Sequence, residues 1–317
     1  MVELSPSSTA FSEAMVKSPI IEPLSVTHTH LLSCLQTVLA AAGSHSVTRI
    51  LDVGCGDGLL VKYLTQSLAQ ILPGQKIEIF GLDVNDHGVQ APDYWEKTQR
   101  LLAKELPSVD WSQRLKLVSV TDPWPFPDAW FHAVVSNQVL EHVQDHAFFF
   151  REHRRVLAPQ GTGIHLFPLH HCILEPHLLL PLVHWVKDFE RRKSAIAVAT
   201  RLGFGRFSGT KAERDKYAAG HAAYLVQQVN YKTQDAVANV ALAAGLVPTF
   251  AQSHFYYVQK IRSLLGQPRI ATYRQPPNLL GNLYARLLRY VSSVTLHVRP
   301  ASEPDGNGRS NRMQVDQ

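Results

Sequence analysis

Cysteine is scarce in this chain of 317 residues, and the three present, Cys34, Cys55 and Cys172, lie far apart. That spacing excludes a disulfide framework, a Cys-x-x-Cys metal site and the three-cysteine cluster motif of radical enzymes. Long apolar runs are missing too. The longest, around Leu178–Val186 and Ala195–Ala199, are short or broken by Pro181 and His184, so no membrane span is expected. The N-terminus has no basic start followed by an apolar segment, so no secretory signal is read and a cytoplasmic chain is expected. No Gly-Lys-Ser or Gly-Lys-Thr follows a glycine loop, which removes a P-loop. The formal charge is +5, but the basic residues are dispersed apart from Arg151 with Arg154 and Arg155, and Arg191–Lys193; a solvated basic face is expected, with no clear nucleic-acid partner. No internal repeat or heptad array is present.

What is there is enough apolar sequence, 45%, for one large α/β domain with insertions. Strand-like runs at Ile50–Val53, Ile77–Leu82, Leu115–Val120, Ala133–Ser136 and Ile164–Phe167 alternate with helical spacing over 28–42, 59–71, 94–106 and 144–157. Such alternation implies right-handed crossovers and a parallel sheet covered on both faces. The pattern breaks after the fifth strand, and residues 169–230 are expected to form a mostly helical insertion. It resumes with Thr233 as an N-cap, an apolar stripe through Ala236, Val237, Val240, Ala241 and Ala244, and Gly245 as the stop. A strand over Leu246–Val258, a helix over Leu279–Tyr290 and a last strand over Ser293–Val298 complete the core. The expected division is a loose arm over 1–26, a core over 27–168 and 231–299, the insertion as a lid over 169–230, and a disordered tail over 300–317.

The most informative stretch is Arg49–Leu60, where Gly54, Gly56 and Gly58 stand at alternate positions after an apolar strand. A strand entering a helix through such a turn presents bare backbone N–H groups and a positive helix end to a ligand. The second strand ends in Asp83, where a doubly wound sheet puts a carboxylate against ribose hydroxyls. A dinucleotide loop needs a third glycine at the position of Leu59, so a nicotinamide enzyme is disfavoured.

Four segments together resemble the class I S-adenosylmethionine-dependent methyltransferases, particularly their broad small-molecule group. They are Ile50–Gly58, Gly81–Asp83, Trp124–Asp128 continuing through Phe131–His142, and Arg154–Gly163. The resemblance implies a Rossmann-like, seven-stranded, doubly wound α/β sheet with one antiparallel strand, and S-adenosyl-L-methionine as cofactor. It implies that Gly54, Cys55, Gly56 and Gly58 pass along the methionine part, that Asp52 orients the loop or reaches the α-ammonium, that Asp83 binds the ribose and that Val84 lies against the adenine. Val120, Thr121 and Asp122 fall where the family grips the adenine edge, although Ser119–Pro123 is shorter than the usual run there. Asn137 and Gln138 fall where the transferable methyl opens, with His142 one turn beyond.

The acceptor is read mainly by exclusion. Ser136-Asn-Gln-Val lacks the Pro-Pro-aromatic sequence of base and amide N-methylating enzymes, and no Pro-Cys nucleophile is present. The insertion phrases Glu175-Pro-His177 and Leu180–Trp185 are similar to those of sugar-tailoring methyltransferases, which implies O-methylation of a small molecule or glycan with one of His142, His171, His177 or His184 as base. No metal site is expected of the run His165, His170, His171, His177 and His184, since it holds no tight His-x-x-x-His pair. A non-catalytic protein that keeps the fold for binding is the alternative from another class.

Overall fold

In the computed structural model, the described residues are 25–42, 46–86, 93–273, 279, 283, 286–291 and 293–301. The expected arm and tail, and much of the helix expected over 279–290, lie outside them. The elements in order are α1 (Val26–Ala42), β1 (Thr48–Val53), α2 (Leu59–Ile71), β2 (Ile77–Val84), α3 (Tyr94–Glu105), α4 (Trp111–Arg114), β3 (Leu115–Val118), β4 (Phe131–Asn137), α5 (His146–Val156) and β5 (Leu157–Pro168). After them come β6 (Leu174–Glu175), β7 (Leu180–Pro181), a 3-10 turn (Val183–Trp185), α6 (Phe189–Arg201), α7 (Lys211–Gln227), α8 (Gln234–Ala243), β8 (Leu246–Thr249), α9 (Ser253–Leu264) and β9 (Ser293–Pro300).

Seven strands form one sheet in the order β3-β2-β1-β4-β5-β9-β8. The first five are parallel, and β9 runs antiparallel to both neighbours. This is the seven-stranded Rossmann-like α/β sheet that the strand–helix alternation and the family resemblance predict. Period-two side-chain alternation sends Ile50, Ile79, Ala133, Val135, Ile164 and Leu166 to a core shared with α1 and α2. Leu51, Phe80, Val134 and Phe167 enter the opposite core with Phe149, Phe150, Val237 and Ala241. Both faces being buried is why these strands read as near-continuous apolar runs.

Two of the quoted motifs meet in one polar network. Arg155 donates to the carbonyls of Trp124 (2.7 Å) and Phe126 (2.8 Å), to Asp128 Oδ1 (2.7 Å) and to Glu152. The Trp124–Asp128 turn is thereby clamped to α5, at the edge of the site.

The strand expected over Leu246–Val258 is corrected: it stops at Thr249, and Phe255, Tyr256 and Tyr257 belong to α9. Their β-type composition yields to tertiary packing. Tyr256 and Gln259 are buried, and Gln259 Nε2 donates to Ser33 Oγ on α1 (3.1 Å) and to the Ile270 carbonyl (3.0 Å). His165, grouped above with the insertion, lies in β5 and bonds Ser136 Oγ through Nδ1 at 2.8 Å.

Within residues 169–230, α6 and α7 pack with the β6–β7 hairpin around a small core of Leu178, Leu180, Val183, Ile196, Ala218, Ala222 and Leu225. A full capping box, Thr210 with Glu213, starts α7. Among the described residues no helix is long and apolar enough to cross a membrane.

Candidate active site

The glycine turn begins where β1 stops. Gly54, Gly56 and Gly58 all have positive φ, +70°, +51° and +73°. The N–H groups of Gly54 and Cys55 donate to the Leu82 carbonyl at 2.7 and 3.1 Å, which ties the turn to β2. A Cβ on Gly54 would stand 2.4 Å from Val139 Cγ2, so no other residue fits without displacing the loop after β4. Gly56 N–H donates to Asp83 Oδ2 (2.6 Å) and Val84 N–H to Asp83 Oδ1 (2.7 Å). The two strand ends named in the sequence are therefore bonded to each other, and the Asp83 carboxylate is fixed in place.

Above this turn opens a cavity of about 850 Å³, within the usual range for cofactor sites. Asp52, Gly54, Cys55, Gly56, Asp83, Val84, Thr121, Asn137, Gln138 and His142 all line it. Gly58 and Asp122 do not. Gly58 caps α2 against Thr98 and Leu102, a backbone role that positions the helix end. Asp122 turns back, its Oδ2 accepting from Ser119 N–H at 3.2 Å, while Asp86 accepts from Ser119 Oγ and Val120 N–H. The shortened Ser119–Pro123 run closes on itself, so Asp122 is removed from the cavity wall.

Asp52 is 1% exposed, and neither of its carboxylate oxygens has a hydrogen-bond partner. Burial pushes its carboxyl well above the usual range, and the nearby Asp83 and Asp57 push the same way. Asn137 Oδ1 is likewise buried without a partner, although Asn137 Nδ2 donates to Thr27 Oγ1 at 3.2 Å. Unpartnered buried acceptors beside a glycine cradle fit a ligand that brings cationic N–H donors, as the α-ammonium of S-adenosylmethionine does. Gln138 adopts φ +57° and donates through Nε2 to Ser293 Oγ on β9 at 3.0 Å, so its amide braces the sheet.

The four candidate histidines separate. His142 lies in a turn, with its N–H on the Val139 carbonyl at 2.8 Å, and α5 begins only at His146 behind the N-cap Asp145. Its Nδ1 meets the Gln228 carbonyl at 2.7 Å; a carbonyl can only accept, so Nδ1 carries the proton and the imidazole lone pair lies on Nε2. His177 stands behind His142, not on the cavity wall, with ring centroids 5.3 Å apart. Its Nδ1 bonds Glu175 Oε1 at 2.8 Å and Tyr231 Oη at 3.0 Å. His184 and His171 are off the wall as well. His184 is buried against Tyr231 with neither ring nitrogen hydrogen-bonded, and burial lowers its pKa. His171 rests near Tyr290.

Sequence reasoning missed Glu141, which is 1% exposed with both oxygens unpartnered. Burial pushes its carboxyl up to about 8, with Glu175 adding to the rise. Its position beside His142 was the only available signal. His28 from α1 and Gln228 after α7 also reach the wall, and nothing local in their sequence marks them.

No curated protein matches the chain. Solved structures similar to it include the YcgJ protein from Bacillus subtilis, 11% identical, covering 87% of this chain and 99% of that one with a TM-score of 0.45. Another is geranyl diphosphate C-methyltransferase from Streptomyces coelicolor, 14% identical over 86% of this chain and 79% of that one, TM-score 0.44. A third is a putative sarcosine dimethylglycine methyltransferase from Galdieria sulphuraria, 15% identical over 83% and 82%, TM-score 0.40. These likenesses are remote, and the assignment rests instead on the sheet order, the cradle and the sequence match of residues 51–164 to the methyltransferase domain family. Residues 51–164 are thus a methyltransferase domain, the kind that uses S-adenosylmethionine as its cofactor.

Proposed function

We propose that this methyltransferase methylates a hydroxyl oxygen of a small molecule or glycan, with His142 as the residue that activates the hydroxyl. The observation that carries the reading is the tautomer of His142: with Nδ1–H committed to the Gln228 carbonyl, a side chain on the cavity wall offers a basic lone pair at Nε2. A hydroxyl must lose its proton as it is methylated, whereas a neutral amine or a carbanion already offers a lone pair. The bound cofactor supplies an electrophilic methyl carbon on a sulfonium, and transfer from it is an in-line displacement in which alignment does much of the work.

This chain's own residues would divide the labour as follows. Gly54, Cys55 and Gly56 let the methionine part approach backbone, and Asp52 with Asn137 Oδ1 accepts from the ammonium. The carboxylate of Asp83, fixed by the N–H groups of Gly56 and Val84 at the cavity wall, takes the ribose hydroxyls. Val84 and Thr121 border the adenine. Residues 169–230 act as a lid, and Gln228 at its end fixes the ring of His142. The test is to incubate the protein with methyl-labelled cofactor and a panel of hydroxylated small molecules and glycans, then locate the label by mass spectrometry. An O-methyl product is expected; label on carbon or nitrogen alone overturns the reading.

A further inference from the structure

Behind His142 the structure gathers a group of side chains that methyl transfer alone does not require. One ligand-type atom from each of Glu141, His142 and His177 lies within 4.8 Å of the other two. Two of the three are already oriented as metal-bound histidines are. His142 Nδ1 is held by the Gln228 carbonyl, and His177 Nδ1 by the Glu175 carboxylate, which leaves the lone pair of each ring on Nε2. Glu175 is itself immobilised: Leu178 N–H donates to Oε2 at 2.6 Å and Tyr231 Oη–H to Oε1 at 2.7 Å. The ring centroids of His142 and His177 are 5.3 Å apart with planes at 61°. Two imidazoles sharing one ion at Zn–N distances of about 2.1 Å have centroids roughly 5 Å apart at a tetrahedral angle.

The third member supplies the independent argument. Glu141 is a buried carboxylate with no hydrogen-bond donor on either oxygen, beside a second buried carboxylate, Glu175. Leaving such a group unpaired is among the most unfavourable arrangements a fold can contain, and buried carboxylates are ordinarily paired or bound to metal. The surroundings bring two acidic side chains and two imidazoles but no Lys or Arg bonded to either acid among the described residues. A bound dication would give Glu141 the partner that these neighbours do not.

We propose that Glu141, His142 and His177 bind one divalent first-row transition-metal ion, zinc foremost, with Glu175 orienting His177. Two nitrogens and one carboxylate suit zinc, cobalt or manganese and are poor ligands for magnesium. Three protein ligands leave a coordination position for a further oxygen. Because His142 is part of the cavity wall, that oxygen would be the acceptor's hydroxyl, which the ion would acidify so that its proton passes to solvent in the open cavity, Nε2 being then a ligand and not the base; this last step rests on the O-methylation reading, whereas metal binding does not.

The test uses the untagged full chain, stripped with a chelator, and titrates it calorimetrically with Zn²⁺ and spectroscopically with Co²⁺. One ion per chain is expected, with visible Co²⁺ absorption bands of low-symmetry coordination and no competition from equimolar Mg²⁺. His177→Ala, at a side chain 27% exposed and therefore tolerant of truncation, should weaken Zn²⁺ binding at least tenfold, as should Glu141→Gln. Glu175→Gln should weaken it less than either, because it acts through His177. Circular dichroism and S-adenosylhomocysteine affinity are measured on every sample. Absence of a one-to-one Zn²⁺ isotherm in a chain that still binds S-adenosylhomocysteine overturns the metal site and leaves methyl transfer standing. Zn²⁺ affinity unchanged in folded His177→Ala overturns it as well, since the ion then sits elsewhere among the sixteen histidines.

Discussion

The two walls of the cavity are built in opposite ways. On the β1–β2 side the site is backbone: a glycine turn, the N–H of Gly56 and the carboxylate that bonds it come from two consecutive strand ends of one parallel sheet. On the far side His142, with Gln228, forms the wall and side chains stand behind it: Glu141 and His142 follow β4, Glu175 and His177 belong to the β6–β7 hairpin, and Gln228 and Tyr231 lie after α7. A backbone site leaves its mark in a short contiguous motif, because only glycine meets its steric demands. A side-chain site spread over some ninety residues leaves almost none, because each residue taken singly is an ordinary polar one.

The comparison can be broken first at Gly54. Gly54→Ala must place a Cβ at positive φ and 2.4 Å from Val139 Cγ2, so S-adenosylhomocysteine binding should fall by more than a hundredfold and stability by about 3 kcal/mol or more. Calorimetric titration and thermal melting check this. A variant that binds normally would show that the turn does not depend on glycine.

The next largest effect concerns side-chain burial in the core. Burial holds His30, His153 and His297 at about 3, so they stay neutral in the folded chain while the unfolded chain takes up protons below about 6.5. Their contribution is intact above that value and is lost as pH falls toward 3. Each should remove roughly 1.4 kcal/mol per pH unit in that window, together about 4 kcal/mol per unit. Urea unfolding at pH 7, 6 and 5 measures the slope, and a flat profile would mean these histidines are accessible to protons in the native state.

Asp83→Ala removes the acceptor on which both strand ends and, in the proposed role, the ribose depend. A loss of about a hundredfold in S-adenosylhomocysteine affinity is expected by calorimetry. His142→Ala probes the opposite wall. Turnover should drop about a hundredfold while S-adenosylhomocysteine affinity changes less than twofold, and parallel losses in both would merge the two walls into one binding surface. The smallest effect is Thr210→Ala, which removes the α7 capping box at a cost of about 1 kcal/mol in melting experiments, with cofactor affinity unchanged.

How far the sequence could be read follows the same division. The strands β1, β2, β4 and β5 and the helix α2 were legible because parallel strands buried on both faces write long apolar runs bounded by glycine or by a strand-end acid. The end of β8 was not, since the Phe255–Val258 run is β-like in composition, and the helix it forms packs on α1, where Gln259 donates to Ser33. Asp122 fell off the cavity wall for a local reason, a turn one step too short. The four histidines could not be ranked from spacing, because what separates His142 from His184 is the Gln228 carbonyl reaching back from the end of α7.

By itself, then, the order of residues determined a parallel sheet, a glycine turn and an acid one strand away, since φ sign, side-chain alternation and strand-end position are properties of short segments. Only the tertiary structure decided that Asp52 and Glu141 are left without partners, that the rings of His142 and His177 meet edge-on, and that Glu175 holds His177. Those are facts of distance and dielectric between segments far apart in the chain, and local sequence carries neither.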